Sequence, residues 1–268
     1  MQVNSEPWGE KNMKTNVNAK NLKAMGVNMI SILGLSGSPI GVRLLAGNDE
    51  YPAEAEMLKH HRYCQALMRA RRGEHVLLDG EGIACPSAAA AFGFRPLPVG
   101  LQSGKGLVGF GIVSDEEVGK RMFENMPKLP SEKIQTLYLF PLDQAKHVPD
   151  IVVVEDEVEK LMWIVLSSLH ATGGKRVSSN TAVLQATCVD STIIPYLEDR
   201  LNFGYGCYGC RDATDIGMNE TVLGFPGAML PLIMEHLEFL NRKAIPTSRS
   251  KKALASLRKE DSERFTEN

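Results

Sequence analysis

Five cysteines, Cys64, Cys85, Cys188, Cys207 and Cys210, are the residues whose types and spacing point most directly to chemistry. A cysteine taken alone is most often a small buried apolar residue; the local contexts argue otherwise for several of these. Cys85 stands directly before Pro86 at a helix start, where unpaired N–H groups and the positive end of the dipole favour a thiolate. Cys188 repeats that arrangement ahead of Asp190-Ser191-Thr192 and a helical run. Cys207 and Cys210 form Cys-Tyr-Gly-Cys among Gly204, Gly206 and Gly209, a backbone able to curl around a ligand with its N–H groups. Cys64 lies within a helical stretch, with Arg71 about two turns on.

Three of the five therefore read as exposed, electropositive thiolate positions. Thiolates drawn from separate elements suit either a structural zinc ion or an iron-sulfur cluster, since both take soft sulfur ligands in a tetrahedral arrangement. Zinc is the weaker of the two, because a zinc ribbon carries two Cys-x-x-Cys knuckles and this chain has one. A cluster accepts scattered ligands, although the ferredoxin run is missing. Two cofactor-free readings stay open beside these: a redox pair formed by Cys207 and Cys210, and structural thiols in a ligand-binding protein. The cysteines also fall into two groups with similar internal gaps, 64 to 85 and 188 to 207.

Other signals carry less. Gly100-Leu-Gln-Ser-Gly-Lys105-Gly106 is not a phosphate loop, because the glycines stand too close and Gly106 occupies the place of the magnesium-binding hydroxyl. No Gly-x-Ser-x-Gly elbow is present. His60 and His61 are adjacent, so on a helix they diverge and cannot chelate one ion; His75, His147, His170 and His236 are isolated in sequence. Glu155-Asp156-Glu157 reads as a solvated turn leading into a helix. Thr172-Gly173-Gly174 reads as a helix stop.

The elements that must position the thiols form an irregular alternation. Strands are predicted at Met29–Leu35, Ile40–Leu45, His75–Leu78, Leu107–Val113, Leu137–Pro141, Ile151–Val154, Thr181–Ala186 and Thr221–Gly224. Helices are predicted over Ala55–Arg72, after Pro86, over Asp115–Met126 with Ser114 as cap, over Val158–Ala171, from about Asp190 to Leu197, and over Gly227–Arg242. This order implies a single α/β or α+β domain, a mixed sheet packed with helices, over residues 1–243. Residues 1–28 read as a leader helix or arm that docks weakly, with Leu22, Met25 and Val27 as anchors, and 244–268 as a charged tail. No tandem repeat of solenoid period is present.

With 30 Lys+Arg against 32 Asp+Glu, the chain lacks the basic excess that nucleic acid or an anionic membrane surface would attract. No apolar run approaches the roughly 20 residues of a spanning helix, and no signal-peptide core opens the chain, which implies a cytoplasmic protein with reduced thiols.

The series Gly41-Val-Arg-Leu-Leu45, Cys64-Gln-Ala66, Arg69-Ala-Arg-Arg-Gly-Glu74, Cys85 with its alanines and Gly93, Pro149-Asp-Ile-Val-Val153, Thr172-Gly-Gly174, Cys188, and Gly206-Cys-Tyr-Gly-Cys-Arg211 resembles the uncharacterised ArCR family, a domain of unknown function found mainly in archaea and anaerobic bacteria. The resemblance runs from about residue 25 to about 243. It implies that Cys64, Cys85, Cys188 and Cys207 are the recurrent cysteines, with a small residue such as Ser usual at the position of Cys210. Four thiols in an anaerobic setting favour a 4Fe-4S cluster bound by those four, with Cys210 rivalling Cys207 as fourth ligand. A thiolate-ligated cluster is anionic, which makes Arg71 and Arg211 the candidate cations to tune it. An electron-transfer protein or a small-molecule ligand is the implied partner.

Overall fold

Period-two burial along the strands sorts the molecule into layers. The computed structural model describes residues 19–258. In chain order the elements are α1 (Ala19–Leu33), β1 (Ile40–Leu45), β2 (Glu56–Met57), α2 (Tyr63–Arg71), β3 (Val76–Asp79), α3 (Pro86–Ala91), α4 (Val99–Gln102), α5 (Lys105–Gly109), α6 (Glu116–Glu124), β4 (Thr136–Pro141), β5 (Ile151–Glu157), α7 (Val158–Ala171), a π-helix (Ala186–Ile193), α8 (Ile194–Glu198), β6 (Asn202–Gly204), α9 (Tyr208–Ala213), β7 (Glu220–Pro226), α10 (Leu230–Asn241) and α11 (Ala244–Arg249). The strands form one mixed sheet in the order β2-β3-β4-β1-β5-β7-β6, with β2 and β3 parallel and the other neighbours antiparallel.

Leu137 and Leu139 of β4, with Ile151 and Val153 of β5, face one core; Tyr138, Phe140, Val152 and Val154 face the other. The first core takes α2, α3, the π-helix and the buried cysteines, and the second takes α1, α7 and α10. The fold is therefore an α/β sandwich, helices on both faces of one mixed sheet.

The sheet has an internal two-fold arrangement. β1 and β5 pair as Ile40 with Val153, Gly41 with Val152 and Val42 with Ile151, a pairing that maps onto itself when the strands are exchanged. Phe140 and Pro141 lie opposite Gly41 and Ile40, just as Phe225 and Pro226 lie opposite Val152 and Ile151. Each Phe-Pro runs into a 3-10 turn, Leu142–Gln144 and Gly227–Met229. Leu142 N–H donates to the Pro39 carbonyl and Gly227 N–H to the Asp150 carbonyl, both at 2.8 Å. Outward from these strands, β3 pairs with β4 and β6 pairs with β7. The β2 position beside β3 is matched beside β6 by Ser179 and Asn180, tied to Asn202 and Phe203.

Several elements differ from the sequence expectations. Met29–Leu35 is no strand: its first residues end α1, a helix that buries Leu22, Met29 and Leu33 against the second core. Each such side chain is worth about 1.5–3 kcal/mol on burial, so this helix is firmly docked. Val27 is exposed. Residues 56–58 run extended beside β3, and the helix expected from Ala55 starts at Tyr63, because helical apolar spacing exists only over its second half. His60 and His61 precede that helix, with His60 at φ 56°. Leu107–Val113 folds as α5 and a turn; a short glycine-spaced apolar run does not distinguish strand from helix by period. Val183 and Gln185, both at positive φ, break the strand expected at Thr181–Ala186. Asp115, not Ser114, caps α6 by accepting the Val118 N–H at 2.9 Å. Val158–Ala171 is helical as expected and stops where Gly174 N–H reaches the Leu169 carbonyl. Beyond it, Ile245 of α11 is buried and Arg249 donates to the Ile32 and Leu33 carbonyls and pairs with Glu159. Residues 1–18, most of the expected arm, and 259–268 of the charged tail lie outside the described residues.

Candidate functional site

All five cysteines line one cavity of about 350 Å³ on the first face of the sheet. Cys64 is the second residue of α2, whose start is closed by the Gln65 side-chain Oε1 accepting the Arg62 N–H at 2.9 Å. Cys85 caps α3 with Pro86 following, as its sequence context required. Cys188 sits in the π-helix, after Gln185 in left-handed conformation, and its thiol donates to the Gln185 carbonyl at 3.5 Å. Single π-turns recur at functional positions; here the wide helix runs over eight residues. Cys207 caps α9, accepts the Cys210 N–H at 3.2 Å, and donates its thiol proton to Cys210 Sγ at 2.9 Å. Thr187 Oγ1 stands 3.1 Å from Cys210 Sγ.

Side chains sew these starts together. Gln65 Nε2 donates to the Ala213 carbonyl at 3.1 Å and Arg62 Nη1 to the Gly209 carbonyl at 2.9 Å, tying α2 to α9. Tyr63 Oη lies 2.9 Å from Thr192 Oγ1, tying α2 to the π-helix. A Cβ at Gly224 would strike the Ser191 carbonyl, so glycine there lets the π-helix lie directly on β7.

The internal symmetry relates the cysteines. Cys64 lies near the start of the helix preceding β3, and Cys85 caps the helix that follows that strand. Cys188 lies near the start of the helical segment preceding β6, and Cys207 caps the helix that follows it. The similar sequence gaps thus reflect matching topology, and Cys210 is the thiol without a counterpart in the first half.

The electrostatics differ from the exposed, electropositive setting expected from sequence. Cys64, Cys188, Cys207 and Cys210 are buried and Cys85 is half-buried. Burial, then the neighbouring thiols, pushes the Cys188 thiol well above its usual range. Donation to Cys210, reinforced by burial, raises Cys207. For Cys210 the bond from Cys207 acts downward, but contact with Cys64 and burial outweigh it and push the thiol up to about 11. Among the described residues, Arg62 is the only basic one lining the cavity.

Arg71 and Arg211 are not among the lining residues. Arg71, at the far end of α2, is buried against Glu155 at 3.1 Å and Glu220 at 2.6 Å and donates to Ser36 Oγ at 2.6 Å. Arg211 is spent on the carbonyls of Gly217, Tyr205 and Glu220, closing the loop after α9. The Glu155-Asp156 pair, expected in solvent, is buried within β5, with Asp156 accepting from Ser36 and Lys160. His170 and His236, isolated in sequence, meet between α7 and α10 with their Nδ1 atoms 2.6 Å apart.

Sequence reasoning missed the apolar side of the cavity. Leu101, Leu107, Phe110, Ile112 and Phe123 come from the long connection between α3 and β4, and Leu184 from the approach to the π-helix. The surfeit of apolar residues among the glycines at 99–113 was the available signal. Among the described residues, no three His, Cys, Asp or Glu side chains are grouped to hold one metal ion, and no helix is long and apolar enough to cross a membrane.

The uncharacterised ArCR family matches residues 28–236, taking in all seven strands and all five cysteines. The chain belongs to this family. A relative within reach of direct alignment is the uncharacterized protein MJ0308 of Methanocaldococcus jannaschii, 29% identical over 213 residues that make up 78% of this chain and 91% of that protein. No solved structure matches the chain.

Proposed function

We propose that this chain is an iron-sulfur protein in which Cys64, Cys85, Cys188 and Cys207 hold a 4Fe-4S cluster. One observation carries the reading: two topologically equivalent cysteine pairs, one from each half of the sheet, line a single cavity. Ionising Cys188 and Cys207, which their buried surroundings and the neighbouring thiols push upward, is unfavourable unless a cationic group enters with them. Four thiols on one cavity supply the soft sulfur donors that a cluster takes. A zinc ion needs its sulfurs about 2.3 Å from one point, and the described residues offer no such grouping; a cluster distributes its thiolates over separate iron atoms.

When bound, such a cluster supplies one-electron transfer at a potential set by its surroundings. The chain's own part is to hold and tune. The Cys210 N–H points at Cys207 Sγ, backbone donation of the kind that stabilises an anionic sulfur. The buried positions of Cys64 and Cys188 limit water at the site, and half-buried Cys85 marks its accessible edge. Electron transfer, redox sensing and cluster-dependent binding of a small ligand all draw on these properties; the apolar side of the cavity favours the last. The partner is then a small molecule, with a redox protein as electron source, in the cytoplasm.

A second reading rests on the 2.9 Å approach of Cys207 and Cys210: a cofactor-free dithiol that closes to a disulfide on oxidation. One sample separates the two. After anaerobic purification, visible absorption is recorded with iron, acid-labile sulfide and zinc content. A brown protein with iron and sulfide in equal amounts, bleaching on reduction, is expected. A colourless protein that takes up no iron after anaerobic reconstitution with iron and sulfide overturns the cluster, and a Cys207–Cys210 disulfide in that sample establishes the second reading.

A further inference from the structure

The two halves of the sheet part company at one connection. From α9 to β7 the chain crosses in Thr214–Asn219, whereas from α3 to β4 it takes Phe92–Gln135 and builds α4, α5 and α6 on the way. That extra segment forms the apolar wall of the cysteine cavity. Leu107 of α5, Phe110 and Ile112 after it, and Phe123 of α6 face the space, and Phe110 is 64% exposed at its mouth. The volume lies in the range of small-molecule pockets, and a mainly apolar lining with few polar groups is their usual character.

Arg62 stands among the lining residues on the α2 side. One of its five N–H donors is engaged by the Gly209 carbonyl. Its carboxylate neighbour, Asp212, is 4.0 Å away with its side chain 72% exposed, a pairing worth little in water. The guanidinium is therefore free to exchange that partner for an incoming anion.

We propose that this cavity binds one small, predominantly apolar monocarboxylate, its hydrocarbon body against Leu107, Phe110, Ile112 and Phe123 and its carboxylate on Arg62. The orientation rests on Arg62 and the apolar wall, which stand with or without the cluster of the proposed function. The unmatched segment is thus the half of the molecule that recognises the ligand.

Isothermal titration with octanoate, and with octan-1-ol as its uncharged counterpart, tests this on protein prepared anaerobically with measured iron content. Saturable one-to-one binding of octanoate is expected, about tenfold tighter than the alcohol. Arg62→Gln should remove most of that preference while keeping alcohol binding, and Phe110→Ser, at a position exposed enough to spare the fold, should weaken both ligands by about tenfold. Absence of saturable octanoate binding, or binding indifferent to both substitutions, overturns the proposal. Octanoate binding to iron-free protein that resists reconstitution would overturn the cluster and keep the pocket; iron-loaded protein that ignores octanoate would do the reverse.

Discussion

The two halves of the sheet share a plan and differ in how each lets helices approach it. In the first half, Leu139 of β4 faces the cysteine-side core, on the face of the sheet where α2 packs against β4. At the matching place in the second half stands Gly224 of β7, where the Ser191 carbonyl of the π-helix comes down onto the strand. The first half buries Val76 by hydrophobic contact; the second places Asn202 there and bonds its amide to the Asn180 and Asp190 carbonyls at 2.9 and 2.8 Å. A common framework thus carries two kinds of cysteine-bearing helix, one packed on apolar side chains and one pressed against backbone. The framework sets the paired positions of the thiols, and the departures from symmetry set what surrounds them.

The sharpest break of this comparison is at the cysteines. If the equivalent pairs are ligands and Cys210 is not, then Cys64→Ser, Cys85→Ser, Cys188→Ser and Cys207→Ser should each remove most of the bound iron and sulfide, while Cys210→Ser keeps most of it. Metal analysis of the five variants beside the parent, purified together under anaerobic conditions, reads this directly. Loss confined to Cys207→Ser and Cys210→Ser would dissolve the symmetry of the site and leave a dithiol acting alone.

Much of this framework is legible in sequence, and the reasons differ by element. Cys85-Pro86 announces a capped helix because proline fixes the first-turn geometry locally, and Val158–Ala171 carries its own start and glycine stop. The near-equal cysteine gaps are visible as well, but their meaning depends on β3 and β6 occupying matching places, which pairing across the sheet decides. The eight-residue π-helix leaves no local mark, and its close seat on the sheet depends on Gly224, far along the chain. Arg71 reads in sequence as a cation for the thiol site, about two turns along the helix from Cys64, and its partners, Glu155 and Glu220, are 84 and 149 residues away.

That arginine gives the next largest expected effect. One buried guanidinium faces two carboxylates, and burial, opposed by Arg71 and aided by the charge of Glu220, raises Glu155 from 4.5 to about 7. The folded state therefore holds a proton there that the unfolded chain releases. The stability this contributes is full below about pH 4.5 and is lost as pH rises through 7, a fall of roughly 3 kcal/mol. Asp190, pushed up to about 7 chiefly by burial, acts in the same sense in the second half. Glu155→Gln should keep a hydrogen-bonding partner for Arg71 and flatten the decline between pH 5 and 8 relative to the parent, measured by urea unfolding at stepped pH. An unchanged slope would mean Glu155 is ionised throughout.

A smaller effect tests the contrast between Leu139 and Gly224. Gly224→Ala inserts one methyl against the Ser191 backbone, and overpacking of this kind costs about 1–3 kcal/mol. In a chain of this size that lowers the melting temperature by several degrees. Leu139→Ala, its counterpart, should cost about 2–5 kcal/mol by the opposite route, an unfilled space beneath α2. If Gly224→Ala melts like the parent, the π-helix is free to lift, and Cys188 is less rigidly held than the packing indicates.

The weakest expected effect lies one residue beyond Arg71. Arg72 also links the first half to the second, pairing at 2.5 Å with Asp215 in the short α9-to-β7 connection, but both side chains are about half exposed. Water and salt screen such a pair, and its worth is about 0–1 kcal/mol. Arg72→Ala, Asp215→Ala and the double variant, compared by thermal unfolding at low and high salt, should give a coupling below about 1 kcal/mol that shrinks as salt is added. A coupling nearer that of a buried pair would make this contact, and not the Arg71 cluster, the main tie between the halves. Adjacent arginines on one helix end would then have exchanged roles, which the burial of Arg71 and the exposure of Arg72 argue against.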